Sequence, residues 1–268
     1  MAKILITGAT GYIGVHVVKR LHENGHSLRC IVRKTPCLLK ELNVDLRLVR
    51  DFHALDISDW VDLMEGCDLV IHLAWVAGDS NYLNCENNLL FLETSLRMMR
   101  ASSQSGIKRF VATGTCLEYE NSPRALDITS PLTFHPLYTS CKRSLHQVAE
   151  AFYRQTQIEF AWYRIFFVYG GDNEPERKLY KKITECYRTN TPLIIPINDP
   201  IRDFIPVDVA ASMICQKALA SDGVGVHNIC TGVGHSISQF ARSIVGSSLK
   251  IIPNHELIDE RPYIVGAP

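Results

Sequence analysis

Hydrophobic and polar positions along the chain follow two patterns. Short apolar runs have the length and the aliphatic content of buried strands. They occupy residues 1–6, 28–33, 44–49, 67–74 and 108–113. Elsewhere, apolar residues recur at intervals of three and four, as on one face of a helix. These stretches are 15–21, 87–104 and 137–152. Strands that alternate with helices in this way predict an α/β fold, a doubly wound parallel sheet with helices on both faces.

The first strand runs directly into a glycine turn with the spacing G-x-x-G-x-x-G, and a helical pattern follows. Glycines let the backbone turn sharply and approach a pyrophosphate closely, while the next helix offers N–H groups and the positive end of its dipole. Because the turn stands between a strand and a helix, we predict a dinucleotide pocket rather than a turn without a ligand. The residues predicted to contact the cofactor here are Gly8, Thr10, Gly11, Tyr12 and Ile13.

The ends of the second and third strands indicate the type of cofactor. A carboxylate after the second strand pairs with the ribose hydroxyls of NAD, whereas an arginine accommodates the extra phosphate of NADP. The sequence has Arg33 and then Lys34, which favours NADP over NAD, with two solvated charges as the alternative. Asp51 is predicted to hydrogen-bond the adenine amino group, and Asp56 competes for that role. Either aspartate could instead cap the helix that begins near Asp59.

The fourth apolar run, residues 67–74, is typical of a central strand that is buried on both faces. The end of this run, Leu73 and Ala74, is predicted to lie beside the cofactor. His72 lies inside the run, and we expect a packed strand histidine rather than a catalytic base or a ligand.

Composition narrows the partners and the compartment. The 268 residues include 28 Lys plus Arg and 28 Asp plus Glu, so we expect small-molecule ligands rather than nucleic acid or an anionic membrane. Nine cysteines without a C-x-x-C pair indicate reduced thiols rather than a disulfide framework or a metal site. The chain starts with a strand rather than a signal-peptide pattern, and no apolar run approaches membrane-spanning length. A soluble cytoplasmic protein is expected.

Candidate acid/base chemistry comes from a strand end and a helix. Thr115 follows the fifth apolar run, where hydroxyl groups face the ligand crevice of a doubly wound sheet. Tyr138 and Lys142 are four residues apart, which places them on one face of a helix. A nearby ammonium favours the ionised phenol and lowers its pKa, so the pair is predicted to relay a proton.

The glycine turn, the strand-end hydroxyl and the Y-x-x-x-K spacing, in this order, resemble the extended short-chain dehydrogenase/reductases, specifically their nucleotide-sugar epimerase/dehydratase/reductase group. The resemblance covers essentially the whole chain and implies a Rossmann domain and a homodimer through two helices. It also implies a triad in which Tyr138 exchanges a proton with the substrate oxygen. Lys142 lowers the tyrosine pKa and holds the nicotinamide ribose. Thr115, located by counting back from Tyr119, orients the reacting carbonyl or carbinol.

The resemblance also implies two arginines as substrate ligands. Arg202, in an R-D-F-I-P-V-D segment, resembles the family's arginine for the substrate diphosphate, and Arg261, in E-R-P, resembles a second. A guanidinium fork suits a diphosphate. The alternative for Arg202 is a structural ion pair with Asp203 or Asp208. Phe167 stands where the family often has an asparagine that contacts the sugar nucleotide.

The residues after Thr115 narrow the reaction, because Cys116 and Leu117 stand where the group's dehydratases carry an acid/base carboxylate pair. The epimerase-reductases that make fucose nucleotides carry a cysteine two residues after the catalytic hydroxyl residue, whereas Cys116 is only one residue after Thr115. The resemblance therefore favours NADPH-dependent reduction of a nucleotide-activated 4-keto-6-deoxyhexose, for surface polysaccharide or glycosylation precursors. The alternatives are a nucleotide-sugar 4-epimerase with tightly bound NAD and a non-catalytic NADP-sensing protein. We expect a cofactor domain over residues 1–169 and a small substrate lobe over 170–268, with strands that cross back.

Overall fold

The structure is a computed structural model, and it describes residues 1–34, 39–76 and 81–268. Within these residues the strands are β1 (Lys3–Thr7), β2 (Ser27–Val32), β3 (Asp45–Leu48), β4 (Leu69–His72), β5 (Arg109–Thr115), β6 (Glu159–Ile165), β7 (Phe167–Tyr169), β8 (Leu193–Pro196), β9 (Ile201–Pro206), β10 (Gly225–Ile229), β11 (Gly234–Ser236), β12 (Ile251–Asn254) and β13 (Tyr263–Ile264). The helices are α1 (Tyr12–Glu23), α2 (Ile57–Met64), α3 (Asn87–Ser102), α4 (Leu137–Tyr153), α5 (Leu179–Arg188), α6 (Val207–Leu219) and α7 (Ile237–Val245). A single 3₁₀ turn, Cys116–Glu118, follows β5.

Seven strands form the central sheet in the order β10-β6-β5-β4-β1-β2-β3. β1 pairs in parallel with β2 on one side and with β4 on the other, so the strand order reverses between β1 and β4. Doubly wound sheets bind their ligands at such a switch point, beyond the carboxyl ends of the strands. The predicted fold class, a doubly wound parallel Rossmann sheet, is confirmed.

The N-terminal pattern explains how the first strand and helix pack. Residues 4–6 of β1 are fully buried, because a central parallel strand is covered on both faces. α1 presents its apolar stripe to the same core. The stripe consists of the four positions that the helical spacing predicts, and all of them are buried: Val15, Val17, Val18 and Leu21.

Two element boundaries differ from the prediction. α2 begins at Ile57 rather than near Asp59, because Asp56 and Asp59 form a capping box. Asp56 Oδ1 accepts the Asp59 N–H at 2.9 Å, and Asp59 Oδ2 accepts the Asp56 N–H at 2.9 Å. Of the two roles considered for Asp56, the structure therefore shows the helix cap. β4 ends at His72, so Leu73 and Ala74 follow the strand instead of ending it.

Packing divides the chain into two compact units. The first comprises Met1–Glu118, Leu132–Arg164 and Ala211–His227, and the second comprises Tyr119–Pro131, Ile165–Ala210 and Asn228–Pro268. These units interleave along the sequence, whereas the predicted domains are two continuous stretches. The predicted boundary between residues 169 and 170 stays a prediction.

Each unit has its own hydrophobic core. In the first unit, the helices flanking the central sheet bury aromatic side chains such as Trp60, Phe110 and Trp162. In the second unit, β11, β9 and β13 form one small sheet with β7 on β9, and β12 pairs with β8. The Phe204 and Phe240 rings stack there with centroids 3.9 Å apart. None of the helices in the described ranges combines the length and apolar character that crossing a membrane requires.

Candidate active site

The glycine turn closes tightly at the carboxyl end of β1. Gly8 has a φ of 70°, in the left-handed region that favours glycine. The Gly11 N–H donates to the Gly8 carbonyl oxygen at 2.8 Å. A Cβ atom on Gly14 would overlap that same oxygen. α1 can begin this close to the turn only because residue 14 lacks a side chain.

The N-terminus of α1 is suited to an anion. Gly11 is the N-cap and provides no side-chain cap, and the first turn contains no acidic residue. Its N–H groups and the positive end of the dipole therefore favour a negatively charged ligand. The pyrophosphate of a nicotinamide dinucleotide fits this cradle. Binding of this pyrophosphate by Thr10, Gly11, Tyr12 and Ile13 stays a prediction.

The segment after β4 lies against the glycine turn. A Cβ atom on Gly8 would be 2.7 Å from the Ala74 nitrogen and 2.9 Å from the Leu73 carbonyl carbon. The Ala74 N–H also donates to Thr7 Oγ1 at 3.4 Å. The structure therefore brings Leu73 and Ala74 beside the turn, and their contact with a cofactor stays a prediction.

Arg33, which follows β2, is predicted to accommodate the NADP phosphate, and Asp51, which follows β3, is predicted to bond the adenine. Both residues are exposed, and so is Lys34. Asp51 Oδ1 accepts the His53 N–H at 3.0 Å. Burial lowers the pKa of His53, the Asp51 charge opposes this effect, and the Arg33 and Arg97 charges add to it. Arg33 and Asp51 thus lie within electrostatic reach of one imidazole, although they come from different strand ends.

Thr115 and Tyr138 are brought together by β5 and α4. Thr115 is the last residue of β5, Tyr138 lies in the first turn of α4, and the two side chains are near enough for the Thr115 hydroxyl to lower the pKa of Tyr138. Burial raises the pKa of Tyr138, and Tyr82 and the Glu118 charge raise it further, against the effect of the Thr115 hydroxyl. This direction is opposite to the lowering that the Lys142 spacing predicts, because burial disfavours the phenolate. The phenol is therefore protonated at neutral pH.

Lys142 is buried one turn further along α4. Its Nζ donates to the Thr113 carbonyl oxygen at 2.6 Å and lies 3.8 Å from the centroid of the Trp75 ring. Burial lowers the pKa of Lys142 to about 7, and the Glu118 charge opposes the lowering. Near pH 7 the amine therefore exchanges between its charged and neutral forms, which suits a group that handles protons.

Three residues that the sequence analysis did not assign support these side chains. Trp75 Nε1 donates to Asn88 Oδ1 at 2.9 Å, and Asn88 Nδ2 donates to the Tyr82 carbonyl oxygen at 2.7 Å. The Tyr82 ring meets the Tyr138 ring edge to face, with centroids 5.3 Å apart. A polar Asn88 in the first turn of an otherwise apolar helical stripe was the signal available in the sequence.

A second omission from the sequence analysis is Glu118. Its carboxylate is fully buried three residues after Thr115, and it pairs with Arg164 at 2.9 Å. Glu118 and Arg164 each stand in a segment that is otherwise largely apolar, and this was the signal available in the sequence. Since buried charges in proteins are almost always paired, the two residues could have been expected to pair.

His72 is a packed strand histidine, as the sequence predicts. Its Nδ1 lies 2.6 Å from Thr7 Oγ1 and its Nε2 lies 2.8 Å from Ser95 Oγ, so both ring nitrogens have hydroxyl partners. Burial lowers the pKa of His72 to about 3, and the Lys142 charge contributes. The ring is neutral at physiological pH. Among the described residues, no group of three His, Cys, Asp or Glu side chains is arranged to hold a metal ion.

Arg202, the first predicted substrate arginine, lies in the second unit. Its guanidinium is buried and pairs with Asp259 at 2.6 Å, and it stacks over the Phe167 ring at 5.3 Å from the centroid. An ion pair therefore exists, but it joins Arg202 to Asp259 instead of to Asp203 or Asp208. The buried Asp203 carboxylate accepts the Thr231 N–H at 2.8 Å instead.

Arg261, the second predicted substrate arginine, lies in the same unit. Its Nη2 donates to the Tyr119 carbonyl oxygen at 2.6 Å, and its Nε donates to Asn121 Oδ1 at 3.1 Å. The Arg261 N–H donates to Asp259 Oδ1 at 2.8 Å. Asp259 thus connects Arg202 and Arg261, while binding of a diphosphate by either one stays a prediction.

Comparisons with known proteins match most of the chain. The model of the NAD dependent epimerase/dehydratase family matches residues 4–230. The chain is 26% identical over 268 residues to dTDP-6-deoxy-L-talose 4-dehydrogenase (NAD(+)) of Aggregatibacter actinomycetemcomitans, covering 97% of this chain and 96% of that protein. Among solved structures, MoeE5 in complex with UDP-glucuronic acid and NAD has a TM-score of 0.81 at 22% identity, covering 99% of this chain and 89% of that one. UDP-N-acetylglucosamine 4-epimerase from Methanobrevibacter ruminantium M1 has a TM-score of 0.82 at 20% identity, with the same coverage.

Proposed function

The chain belongs to the NAD dependent epimerase/dehydratase family, and on that basis we propose that it is an oxidoreductase that interconverts the C4 carbonyl and C4 hydroxyl of a nucleotide-activated 6-deoxyhexose. Its biosynthetic direction is reduction of the 4-keto sugar. The observation that carries this proposal is that Thr115 at the end of β5, and Tyr138 and Lys142 on α4, lie in the same compact unit as the glycine turn.

The chemistry of these side chains suits reduction. A bound nicotinamide cofactor would supply the hydride to C4. Tyr138 is held protonated by burial and donates its phenolic proton to the C4 oxygen. Thr115 hydrogen-bonds the same oxygen and orients the carbonyl. Lys142 stabilises the phenolate left after transfer, and in its charged form it lowers the cost of that step.

A dehydratase reaction is disfavoured by the state of the acidic residue closest to Thr115. Elimination of water requires an additional acid/base carboxylate. Glu118 is three residues away, but its carboxylate is fully buried and paired with Arg164. A carboxylate that is inaccessible and already bonded to Arg164 is not exposed to accept a substrate proton. This leaves simple hydride transfer as the proposed reaction.

The dTDP-6-deoxy-L-talose 4-dehydrogenase supports the choice of substrate class, because its name states oxidation at C4 of a dTDP-6-deoxyhexose and its length matches this chain almost completely. We propose a dTDP-activated 4-keto-6-deoxyhexose as the first substrate to test. Arg202 and Arg261 are proposed to bind its diphosphate, since guanidinium forks suit phosphate oxygens.

For the cofactor, the names of the relatives state NAD. Arg33 and Lys34 are two exposed cations at the end of β2, and they support our proposal that this chain prefers NADPH and also accepts NADH. Arg33→Glu should weaken NADPH binding more than NADH binding, measured by fluorescence titration. Equal effects on the two cofactors would overturn the proposed role of Arg33.

The main alternative is a nucleotide-sugar 4-epimerase with tightly bound NAD, supported by the 4-epimerase among the structural neighbours. It would use the same Thr115, Tyr138 and Lys142 but consume no cofactor. The non-catalytic NADP sensor is the weaker alternative, because a sensor has no need for this triad.

Two further proposals concern the assembly and the compartment. We propose a homodimer through the outer faces of α3 and α4, where Leu89, Leu90 and Val148 are exposed. We also propose a cytoplasmic location, supported by the eight cysteines of the described segments, all of which are free thiols.

The deciding experiment follows loss of reduced-nicotinamide absorbance with NADPH or NADH against dTDP-, GDP-, CDP- and UDP-4-keto-6-deoxy sugars. Stoichiometric consumption with one of them is the expected result, and it identifies the nucleotide. Interconversion of simple nucleotide sugars by the same preparation, without net cofactor consumption, would replace the reductase proposal with the 4-epimerase.

A further inference from the structure

A buried ion pair lies directly behind the proposed catalytic hydroxyl. Glu118 ends the 3₁₀ turn that follows β5, Arg164 lies near the end of β6, and both side chains are almost completely inaccessible to solvent. Glu118 Oε2 accepts the Arg164 Nε–H at 2.9 Å. Removing two charges from water is costly, and apolar side chains of similar volume often give equal or greater stability. The stability of the fold alone therefore does not account for this pair.

The surrounding residues hold the Glu118 carboxylate in one orientation. Trp162 Nε1 donates to it, at 3.1 Å from Oε2 and 3.3 Å from Oε1. Gly114 makes room for this arrangement, because a Cβ atom there would overlap both the carboxylate and the indole nitrogen. The carboxylate is thus held on one edge by Arg164 and Trp162, which leaves Oε1 directed toward the main chain of the turn.

The remaining contact reaches the catalytic residue. Glu118 Oε1 accepts the Thr115 N–H at 2.8 Å, and the Leu117 N–H donates to Thr115 Oγ1 at 3.3 Å. Together these bonds fix both the backbone and the hydroxyl of Thr115. The same hydroxyl group is near enough to the Tyr138 phenol to lower its pKa.

We propose that Glu118, held by Arg164, is a positioning residue that orients the Thr115 hydroxyl toward Tyr138 by accepting the Thr115 main-chain N–H. This inference rests on the proposed role of Thr115. The carboxylate acts through the Thr115 backbone and does not touch the substrate. The feature that an apolar pair could not supply is the hydrogen-bond acceptor at Oε1.

The test compares two double variants that both remove the buried charges. E118M/R164M fills the space without an acceptor, whereas E118Q/R164Q keeps an amide oxygen for the Thr115 N–H. We expect E118M/R164M to fold and to lose about 10-fold or more in kcat with KM nearly unchanged, as for loss of one strong hydrogen bond. E118Q/R164Q should recover most of that loss.

A matched control uses an ion pair that joins β5 to β6. Arg109 and Glu159 begin β5 and β6, and Arg109 Nε donates to Glu159 Oε2 at 2.7 Å. R109M/E159M should leave kcat unchanged. Wild-type kcat in E118M/R164M, or an equal loss in both Glu118 double variants, would overturn the proposal. If E118M/R164M does not fold, the test rests on E118Q/R164Q alone. A folded E118Q/R164Q that has lost most of its kcat would then overturn the proposal.

Hydrogen–deuterium exchange separates this inference from the proposed function. The Thr115 amide should exchange about 10-fold faster in E118M/R164M than in the wild type, and at a nearly wild-type rate in E118Q/R164Q. A wild-type protein without turnover on any sugar nucleotide would contradict the proposed function, while this exchange pattern would still support the positioning role. An equal exchange rate of the Thr115 amide in all three proteins would contradict the positioning role.

Discussion

Tyr138 and Lys142 lie one helical turn apart, and burial shifts the pKa of each toward its neutral form. It raises the pKa of Tyr138 and lowers that of Lys142 to about 7. Both directions follow from the cost of placing a charge away from water. The phenol therefore begins in the protonated state that reduction requires, and the amine is available to exchange a proton near pH 7. At the scale of single residues, burial is the dominant influence on the chemistry of this site.

Replacing the phenol tests the proton donor directly. Tyr138→Phe should lower turnover by about 10²-fold to 10⁴-fold, the usual contribution of a general acid, while cofactor binding stays unchanged. Loss of NADPH absorbance with substrate measures the first effect, and fluorescence titration measures the second. Tyr187→Phe, at a half-exposed tyrosine, is the control and should leave both unchanged. Turnover close to wild type in Tyr138→Phe would rule out the assigned acid.

His72 gives a prediction for stability against pH. Its native pKa of about 3 lies below the ordinary value of 6.5, so between these values the unfolded chain binds a proton that the native state does not. Stability should therefore fall as pH decreases from about 6.5 toward 3, by several kcal/mol from this residue. The free energy of unfolding, measured with urea over this pH range, should fall less steeply in His72→Gln than in the wild type.

His146 provides the comparison for this measurement. Burial lowers its pKa to about 4, and the charges of Arg164 and Arg143 contribute. His146→Gln should remove a smaller part of the same pH dependence and leave the His72 part in place. If the unfolding free energy of His72→Gln depends on pH as steeply as that of the wild type, the buried neutral His72 does not contribute to this dependence.

At the scale of secondary-structure elements, helix N-termini have different roles in α1 and α2. α1 begins with a glycine cap and no acidic residue, which leaves its first turn suited to an anion. α2 begins with the Asp56 capping box, which satisfies its own first turn. The composition of the first turn thus separates a terminus suited to an anion from one that is capped by its own side chains.

The close approach in the glycine turn predicts a specific sensitivity. A Cβ on Gly14 overlaps the Gly8 carbonyl oxygen, so Gly14→Ala should displace α1 and weaken cofactor binding by about 10-fold or more, with a stability loss of about 1–3 kcal/mol. Gly25→Ala is the control. It is strained by a φ of 78° but has no atom within 4 Å of the added carbon. It should reduce stability and leave cofactor affinity unchanged, and similar losses of affinity in both variants would contradict this role of Gly14.

The two aspartates near α2 can be separated in the same way. Asp56→Ala should cost about 1 kcal/mol of unfolding free energy through loss of the cap, without a change in cofactor affinity. Asp51→Asn should weaken cofactor binding a few-fold through loss of the negative charge and of one of the two acceptor oxygens, with little change in stability. Thermal unfolding and cofactor titration of both variants check this. An unchanged cofactor affinity in Asp51→Asn would show that Asp51 does not bind the cofactor.

At the scale of the whole molecule, the predicted site residues divide between the two compact units. All predicted cofactor contacts and the triad lie in the first unit, whereas Arg202 and Arg261 lie in the second. The second unit holds these arginines by internal contacts, with Asp259 bonded to both. Each unit therefore holds the side chains predicted for its part of the site through its own packing.

The proposed dimer is a prediction at this scale. Leu90 and Val148 are 43% and 48% exposed on α3 and α4. L90E/V148E should convert the dimer into a folded monomer, because two charges at the centre of an apolar interface cannot be desolvated without partners. Light scattering measures the mass. Leu257→Glu, at a 48% exposed position of the second unit, is the control and should remain dimeric. A dimeric L90E/V148E would place the interface elsewhere.

The sequence alone determined the fold class and the local elements that carry the chemistry. The G-x-x-G-x-x-G spacing after a buried strand, and the Y-x-x-x-K spacing on an amphipathic helix, are local patterns, and the backbone geometry of strand, turn and helix follows directly from them. The α1 stripe follows from helical apolar spacing and the packed state of His72 from its apolar run, and both predictions are confirmed.

Tertiary structure alone decided the states and partners of these residues. The direction of the Tyr138 pKa, the contact of Lys142 with Thr113 and the pairing of Arg202 with Asp259 each depend on residues distant in sequence. The Glu118–Arg164 pair likewise joins β6 to the turn after β5. Sequence spacing reports which side chains share a face of one element. Burial and long-range hydrogen bonding depend on what packs against that face, and only the folded chain specifies it.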